Sequence, residues 1–281
     1  MIPSDFKYQK AASVDEALSL MDDDSRILAG GHSLIPSLKL RFDEPGMLVD
    51  ISSIDELRFI RENDDHISVG AATTHAEIAA SELLQSKLPV LAYGAGKIGD
   101  IQVRNRGTIG GSLAHADPAA DYPGITLACN ASVVVKGKNG ERIIPSTDFF
   151  QGLFMTALGE GELITEIRFP LKDLTGSAYL KFEQPASRYA IVGCAVCLKE
   201  DKGTCEDIAI GINGLTNRAI RAEMVERALK GKKLDDKNIE AAVSHVADNI
   251  DVSSDLFASS EYRTHLARVY VKKAILAAMK G

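Results

Sequence analysis

The sequence is poor in cysteine. The 281 residues include four, Cys129, Cys194, Cys197 and Cys205, which do not form the disulfide framework of a secreted protein and match no iron-sulfur ligand set. Cys194 and Cys197 lie in an apolar run typical of a buried strand, where positions three apart point to opposite faces. We therefore expect reduced, buried thiols, and any iron-sulfur cluster that serves this protein is expected on another chain.

The sequence also lacks an excess of basic residues and any long apolar run. Its 32 Lys and Arg against 39 Asp and Glu give a net charge of −7, so nucleic acid is not an expected partner. No apolar stretch approaches the roughly 18 residues of a transmembrane helix, and the N-terminus lacks the apolar core of a signal peptide. These absences predict a soluble, cytoplasmic protein without a transmembrane segment.

The predicted elements divide the chain into three units, at residues 1–56, 57–171 and 172–281. Within the first unit, strands are predicted at residues 6–11, 26–30 and 47–52. Ser13 and Glu16 form a capping box, which predicts a helix to about Met21. A second apolar run, residues 34–41, follows the glycine pair at the end of the second strand.

The second unit is predicted to combine helices with a sheet of its own. A capping box of Thr74 and Glu77 predicts a helix over residues 75–84, and Asn139-Gly140 predicts a hairpin turn between two strands. Residues 100–111 show no helical periodicity.

The third unit is predicted to have strands first and helices afterwards, which is α+β architecture. The strands are expected at residues 178–184, 190–200 and 205–214, and the helices at 218–231, 236–248 and 262–280.

Two motifs are only weak evidence for a function. Residues 94–99, GAGKIG, have the letters of the dinucleotide fingerprint but follow a helix where that fingerprint needs a strand. His115, Asp117 and Asp121 fit no standard zinc or iron spacing, and loop-capping carboxylates explain them better than a metal site.

Two glycine pairs are stronger candidates, in AGGHS (residues 29–33) and TIGGS (residues 108–112). Glycines let a loop present successive backbone N–H groups to an anion, and the neighbouring hydroxyls add donors. Each pair alone is explained equally well as a sharp turn. Together, at the facing ends of two units, they favour a nucleotide cofactor whose diphosphate is gripped from both sides.

Four stretches resemble a known family: AGGHSLIPSLKLR, IGDIQVRNRGTIGGSLAHADPAADYP, ELITEIRFP and KFEQPASRYAIVGCAV. Across essentially the whole chain they resemble the FAD-binding medium subunit of molybdenum hydroxylases, which include aerobic carbon monoxide dehydrogenase, aldehyde oxidoreductases and the flavin domain of xanthine dehydrogenase. The resemblance implies a vanillyl-alcohol-oxidase (PCMH)-type FAD-binding domain of two α+β subdomains, plus a C-terminal α+β domain of the CO dehydrogenase flavoprotein type.

The resemblance also implies a set of cofactor contacts and assigns no catalytic residue and no metal ligand. Ser112 stands where the family often has an asparagine after TIGG. Tyr189 is expected to shield one face of the isoalloxazine ring. The implied contacts are Ala29, Gly30, Gly31, His32, Ser33, Leu34, Thr108, Ile109, Gly110, Gly111, Ser112, Ala116, Asp117, Asp121, Leu163, Ile164, Lys181 and Tyr189.

As a function, the resemblance implies an oxidoreductase subunit that carries FAD and transfers electrons. Electrons are expected to come from a large subunit with a molybdenum-pterin cofactor, through 2Fe-2S clusters on a small subunit, and to leave for an external acceptor. A dimer of heterotrimers is the expected assembly. Carbon monoxide, an aldehyde and an N-heteroaromatic ring are the open substrate classes, and the first two are favoured. The alternatives are a stand-alone flavin reductase or oxidase of the same fold, and a nucleotide-binding scaffold without turnover.

Overall fold

The computed structural model describes residues 1–280. The first part of the chain forms a small parallel sheet with two helices. The elements are β1 (Lys7–Lys10), α1 (Val14–Leu20), β2 (Ser25–Leu28), α2 (Leu34–Leu40) and β3 (Met47–Asp50). The strand order is β1-β3-β2. The Ser13 hydroxyl accepts from the Glu16 N–H and begins α1 as predicted. The apolar run after the glycine pair is the helix α2, whose single fully buried side chain, Leu38, gives little amphipathic signal.

The second part places helices against a five-stranded antiparallel sheet with the order β4-β5-β10-β6-β7. Its elements are β4 (Ile60–Glu62), β5 (His66–Gly70), α3 (His75–Ala80), α4 (Glu82–Lys87), α5 (Pro89–Gly96), α6 (Ile101–Arg104), α7 (Ile109–His115), α8 (Asp121–Ala128), β6 (Ser132–Gly137), β7 (Gly140–Pro145), α9 (Ser146–Phe149), β8 (Phe150–Gly152), β9 (Met155–Thr156) and β10 (Leu163–Pro170). The predicted capping box at Thr74 is present.

Two expectations for this part were wrong. The helix predicted over residues 75–84 is two helices, because Ser81 ends α3 and its hydroxyl caps α4. Residues 100–111, expected without helix, contain α6 and the first turn of α7. Helix α6 is only four residues long, and the glycines of α7 are poor helix formers, so neither shows the helical period.

The third part is an antiparallel sheet of order β11-β12-β13-β14, covered by three helices. Its elements are β11 (Gly176–Glu183), β12 (Ala190–Asp201), β13 (Thr204–Asn213), β14 (Ile220–Arg221), α10 (Glu223–Leu229), α11 (Asp236–Val243) and α12 (Ser260–Ala278). The helix predicted from residue 218 begins only at Glu223, because Ile220 and Arg221 pair with β13.

Strand β12 separates two hydrophobic cores. Cys197 and Ala195 face the core shared with α5, α8 and the five-stranded sheet, whereas Cys194 and Val196 face the core under α10 to α12. The two cysteines are buried on opposite faces, as predicted. The Cys197 thiol lies 3.7 Å from the Cys129 thiol, and both are free.

Candidate functional site

A cavity of about 480 Å³ lies where the three parts of the chain meet, within the size range of small-molecule sites. Its wall includes fifteen of the residues that the resemblance implied. They are Ala29, Gly30, Gly31, His32, Ser33, Leu34, Thr108, Gly110, Gly111, Ser112, Asp117, Asp121, Leu163, Ile164 and Tyr189. Ile109 and Ala116 are buried in the core behind the wall, and Lys181 lies one contact away from it.

The first glycine loop connects β2 to α2 and has an anion-binding shape. Gly31 has φ +73°, a left-handed conformation that favours glycine. The Ile35 N–H donates to the Gly31 carbonyl, but within residues 1–280 the N–H groups from Gly31 to Leu34 have no protein acceptor. Four successive free donors on a cavity wall form a concave site of the kind that binds phosphate oxygens.

Gly30 joins this loop to the second one. A β-carbon at Gly30 would lie 2.2 Å from the Arg106 carbonyl oxygen and 2.7 Å from the Gly107 Cα. These are backbone atoms, which cannot move aside as the end of a long side chain can. Glycine at position 30 is therefore required for the contact between the two loops.

The second glycine loop begins α7, and its N–H groups are occupied within the protein. The N–H groups of Ile109, Gly110 and Ser112 donate to the carbonyls of Thr73, Ala71 and Thr108, and that of Gly111 donates to the Thr108 hydroxyl. A β-carbon at Gly110 would lie 2.6 Å from the Ala71 Cβ. The expectation of free donors on both loops thus holds for the first loop only; the second contributes close packing and space.

Asp121 is a buried carboxylate at the cavity wall, at the start of α8. Its Oδ1 accepts from the Tyr179 hydroxyl at 2.5 Å and lies 2.9 Å from the Lys181 Nζ. Burial raises the pKa of Asp121, while the Lys181 ammonium opposes that change. Asn213 donates to the Tyr179 oxygen, so the Tyr179 proton is directed to Asp121. The carboxylate is therefore fixed from β11 and β13 of the C-terminal sheet.

The ammonium group of Lys181 donates its hydrogen bonds to other groups of the protein. Besides the ion pair with Asp121, its ammonium donates to the carbonyls of Lys97 at 3.0 Å and Arg188 at 2.5 Å. Lys97 and Arg188 belong to two turns whose neighbouring residues, Ile98 and Tyr189, line the cavity. Lys181 thus holds two parts of the cavity wall together.

Tyr189 lies at the cavity mouth with two-fifths of its surface exposed. Burial and the nearby carboxylates of Asp117 and Asp121 raise the pKa of its phenol, so it stays protonated. The Asp117 carboxylate accepts the Ala119 N–H, which is the loop-capping role predicted for it. Within residues 1–280 no three His, Cys, Asp or Glu side chains are grouped as metal ligands.

Sequence reasoning missed several wall residues. Arg26, Arg188 and His75 line the cavity, and Arg26 is paired with Asp43. Arg188 has φ +60°, an unusual conformation for a side chain of its size. It stands inside one of the four resembling stretches, so position alone could have found it. His75 had no such signal, because it reads as the first residue of a capped helix.

Comparisons with known proteins agree with this geometry. The family described as "FAD binding domain in molybdopterin dehydrogenase" matches residues 4–172, and "CO dehydrogenase flavoprotein C-terminal domain" matches residues 177–278. The carbon monoxide dehydrogenase medium chain of Hydrogenophaga pseudoflava is 40% identical over 282 residues, covering 99% of this chain and 98% of that one. The glyceraldehyde dehydrogenase medium chain of Sulfolobus acidocaldarius is 38% identical, covering 98% of each.

A solved structure extends the likeness to three dimensions. The carbon monoxide dehydrogenase from Hydrogenophaga pseudoflava that lacks the Mo-pyranopterin moiety of the molybdenum cofactor superposes with a TM-score of 0.97 at 41% identity, covering 100% of this chain and 99% of that one. The fold and site therefore define an FAD-binding flavoprotein of the α+β class, with a C-terminal domain of the CO dehydrogenase type.

More narrowly, this chain belongs to the FAD-binding medium subunits of the molybdenum hydroxylases, the family suggested by the sequence resemblance. It is an oxidoreductase subunit, and members of the family work in multi-subunit complexes. None of the helices in residues 1–280 combines the length and apolar character needed to cross a lipid bilayer.

Proposed function

We propose that the cavity holds FAD with its diphosphate on the first glycine loop. The observation that carries this assignment is the run of free N–H groups from Gly31 to Leu34, beside the contact of Gly30 with the second loop. Neutral donors in a concave loop suit a diphosphate, and the adjoining cavity has the size of a ligand site.

The remaining wall residues would orient the flavin. Leu163 and Ile164 offer an apolar surface at the start of β10, and Tyr189 would cover one face of the ring system. Asp121, held by Tyr179 and Lys181, fixes a charge at the wall. FAD, when bound, supplies the chemistry that couples one-electron carriers to a two-electron acceptor, while the protein sets its position and potential. Ala116, Ile109 and Lys181 act from behind the wall by shaping it.

We further propose that this subunit works between two partners, a large molybdenum-cofactor subunit and a small 2Fe-2S subunit, in a dimer of heterotrimers. The four cysteines of the chain are buried and free, so they cannot hold a cluster, and electrons must arrive from another chain. Free thiols, two of them 3.7 Å apart, are in keeping with a cytoplasmic location. The carbon monoxide and glyceraldehyde dehydrogenase relatives support carbon monoxide or an aldehyde as the substrate class of the complex, and an N-heteroaromatic ring is the alternative, because relatives named for nicotine and caffeine are 34% and 31% identical.

The three units of residues 1–56, 57–171 and 172–281 remain our division of the chain. Each has a sheet, and each of the three hydrophobic cores is drawn mainly from one unit, while the core of the second unit also takes in Ala195 and Cys197 of the third.

A single preparation tests the proposed function. The purified chain should carry the visible absorbance of an oxidised flavin and should transfer no electrons from substrate to an acceptor by itself. Addition of the large and small subunits should restore turnover with carbon monoxide or an aldehyde. Absence of flavin after reconstitution with FAD would reject the cavity assignment, and turnover by the chain alone would support the stand-alone flavin enzyme instead.

A further inference from the structure

His75 is the least explained group of the cavity wall. It is the first residue of α3, next to the Thr74 cap, and its own N–H donates to the Gly107 carbonyl. The side chain is only 4% exposed yet contributes to the cavity wall. A buried imidazole needs hydrogen-bond partners for two ring nitrogens.

One ring nitrogen of His75 has a partner and the other does not. Nδ1 lies 3.2 Å from the Tyr122 hydroxyl. Nε2 has no protein partner within residues 1–280, and it is not among the sealed-off unpartnered atoms of that range, which are Asn213 Oδ1 and Arg263 Nε. Nε2 is therefore not sealed off from solvent, and His75 is one of the residues that line the cavity.

Tyr122 fixes which nitrogen carries the hydrogen. Its hydroxyl is fully buried, and burial together with Asp121 raises its pKa well above the ordinary value, so it keeps its proton. The partner recorded for that hydroxyl in residues 1–280 is His75 Nδ1. If Nδ1 carried a hydrogen, the Tyr122 proton would be buried without an acceptor, which is unfavourable. Tyr122 thus donates to Nδ1, and the hydrogen of the ring is on Nε2.

The imidazole is also neutral. Burial first, and then the nearby His32 and Arg104, lower the pKa of His75 to about 3. At physiological pH the ring is a neutral N–H donor with one orientation.

The position of Nε2 identifies what it faces. A β-carbon on Gly107 would lie 2.5 Å from Nε2, and Gly107 is the residue against which Gly30 packs. Nε2 thus lies against Gly107, at the junction of the two glycine loops, and the first of these loops carries the free N–H groups of residues 31–34.

From this arrangement we propose that His75 is a cofactor-binding residue, whose Nε2–H donates to an oxygen of the cofactor's diphosphate, and that Tyr122 is the positioning residue that fixes its tautomer. The inference rests on the proposed function and adds to it a donor from a helix outside both glycine loops.

The test measures dissociation constants of the flavin-free, full-length chain for FAD, ADP and riboflavin. Relative to the unmodified chain, His75→Leu should weaken FAD and ADP by about 10- to 100-fold, the effect of losing a hydrogen bond to a charged group, and leave riboflavin unchanged. His75→Gln, which keeps an N–H donor at similar reach, should recover most of the affinity. Tyr122→Phe should weaken FAD and ADP by a smaller factor, because the ring stays but its tautomer is no longer fixed.

His66→Leu on β5, away from the cavity wall, is the matched control and should bind all three ligands normally. Thermal unfolding of each flavin-free variant establishes that it is folded. Equal affinity of folded His75→Leu and the unmodified chain for FAD and ADP would overturn the inference while leaving the proposed function intact. A riboflavin loss as large as the ADP loss would overturn the diphosphate assignment. Failure of the unmodified chain to bind FAD would overturn the proposed function, and this inference with it.

Discussion

Gly30 and Gly107 touch through their backbones, at a distance that leaves no room for a β-carbon on Gly30. Gly30 lies in the first loop, two residues after the end of β2, and Gly107 directly precedes Thr108, the N-cap of α7. The contact therefore sets the separation of the two loops, which in turn sets the width of the cavity between them.

Replacement of Gly30 by alanine should separate the loops. The added carbon would lie 2.2 Å from the Arg106 carbonyl oxygen, and such overpacking typically costs about 1–3 kcal/mol. We expect Gly30→Ala to lower the free energy of unfolding by that amount and to lose most bound FAD. Gly96→Ala is the control, because the nearest atom to its new carbon is 3.9 Å away. Urea unfolding and flavin-to-protein ratios measure both effects; unchanged flavin content in Gly30→Ala would contradict the loop-contact argument.

Valine variants of Gly31 and Gly231 distinguish the effect of backbone strain from the effect of a lost cofactor contact. Gly31 and Gly231 have nearly equal φ angles, +73° and +75°, but only Gly31 lies on the cavity wall. A β-branched residue is strained at either position, by about 1–2 kcal/mol. At position 31 its β-carbon would also lie 3.0 Å from Ile35 Cγ1, whereas at position 231 it would meet no atom within 4 Å, so thermal unfolding of both variants must accompany the titration. Gly31→Val should lose FAD while remaining folded, and Gly231→Val should keep it. If both variants bound FAD equally well in an equilibrium titration, the first loop would not be the diphosphate site.

Tyr189 is expected to control access to the flavin more than its binding. Tyr189→Ala should retain FAD, because the diphosphate loop is untouched, but should be reoxidised faster by acceptors once the ring no longer covers the site. Tyr262, which is 43% exposed against 40% for Tyr189 and lies on α12, provides Tyr262→Ala as a control of similar exposure. Stopped-flow reoxidation of the reduced chain is the measurement. Identical traces for Tyr189→Ala and the control would remove Tyr189 from the site.

Lys181→Met should destabilise the chain strongly. Its partner Asp121 is buried, and removing one member of a buried ion pair costs about 3–5 kcal/mol. Lys199→Met breaks ion pairs of an exposed lysine and should cost no more than about 1 kcal/mol. Urea unfolding at neutral pH compares the two. A similar small loss for both variants would show that Lys181 does not hold the cavity wall.

The free energy of unfolding of Lys181→Met should depend on pH through the carboxyl of Asp121. Burial already raises the pKa of Asp121, and loss of the Lys181 cation raises it further. A carboxyl whose pKa is higher in the folded than in the unfolded state contributes stability that is lost as pH rises through the folded-state pKa. The stability gap between Lys181→Met and the unmodified chain should therefore narrow as pH falls from neutral. A gap that widens at lower pH would mean that Asp121 is not the group left without a partner.

Local signals in the sequence predicted much of this fold. Ser13 and Thr74 predicted helix starts, and Asn139-Gly140 predicted the hairpin, because capping and turn chemistry act within four residues. The loop of that hairpin is Lys138-Asn139, one residue earlier than expected, and Gly140 begins β7. The buried β12 was equally clear, since β-branched and small apolar residues fill it. The elements that the sequence did not reveal were α2, α6 and β14. Helix α2 has one buried side chain, and α6 and β14 have none, so their residues show no readable period.

The site was predictable only where it is contiguous in sequence. The glycine pairs themselves indicated both loops, and the resemblance added Asp121. The acceptors of the second loop's N–H groups include the carbonyls of Thr73 and Ala71, which only the fold brings there. Tyr179 and Asn213, 34 residues apart, meet at Asp121 for the same reason. No spacing in the sequence predicts such a network, because three strands and a helix must pack before its members touch.

Strand β12 is buried on both faces, so the FAD-binding part and the C-terminal part share a hydrophobic core. The two parts are therefore distinct in sequence but are not expected to unfold separately. A chain truncated near residue 172 would expose the apolar surface of α5 and α8, and the excised C-terminal part would expose Cys197 and its neighbours. The two parts should therefore melt in one cooperative transition. A chain of this family is expected to tolerate insertions at its loops far better than any exchange of its second half.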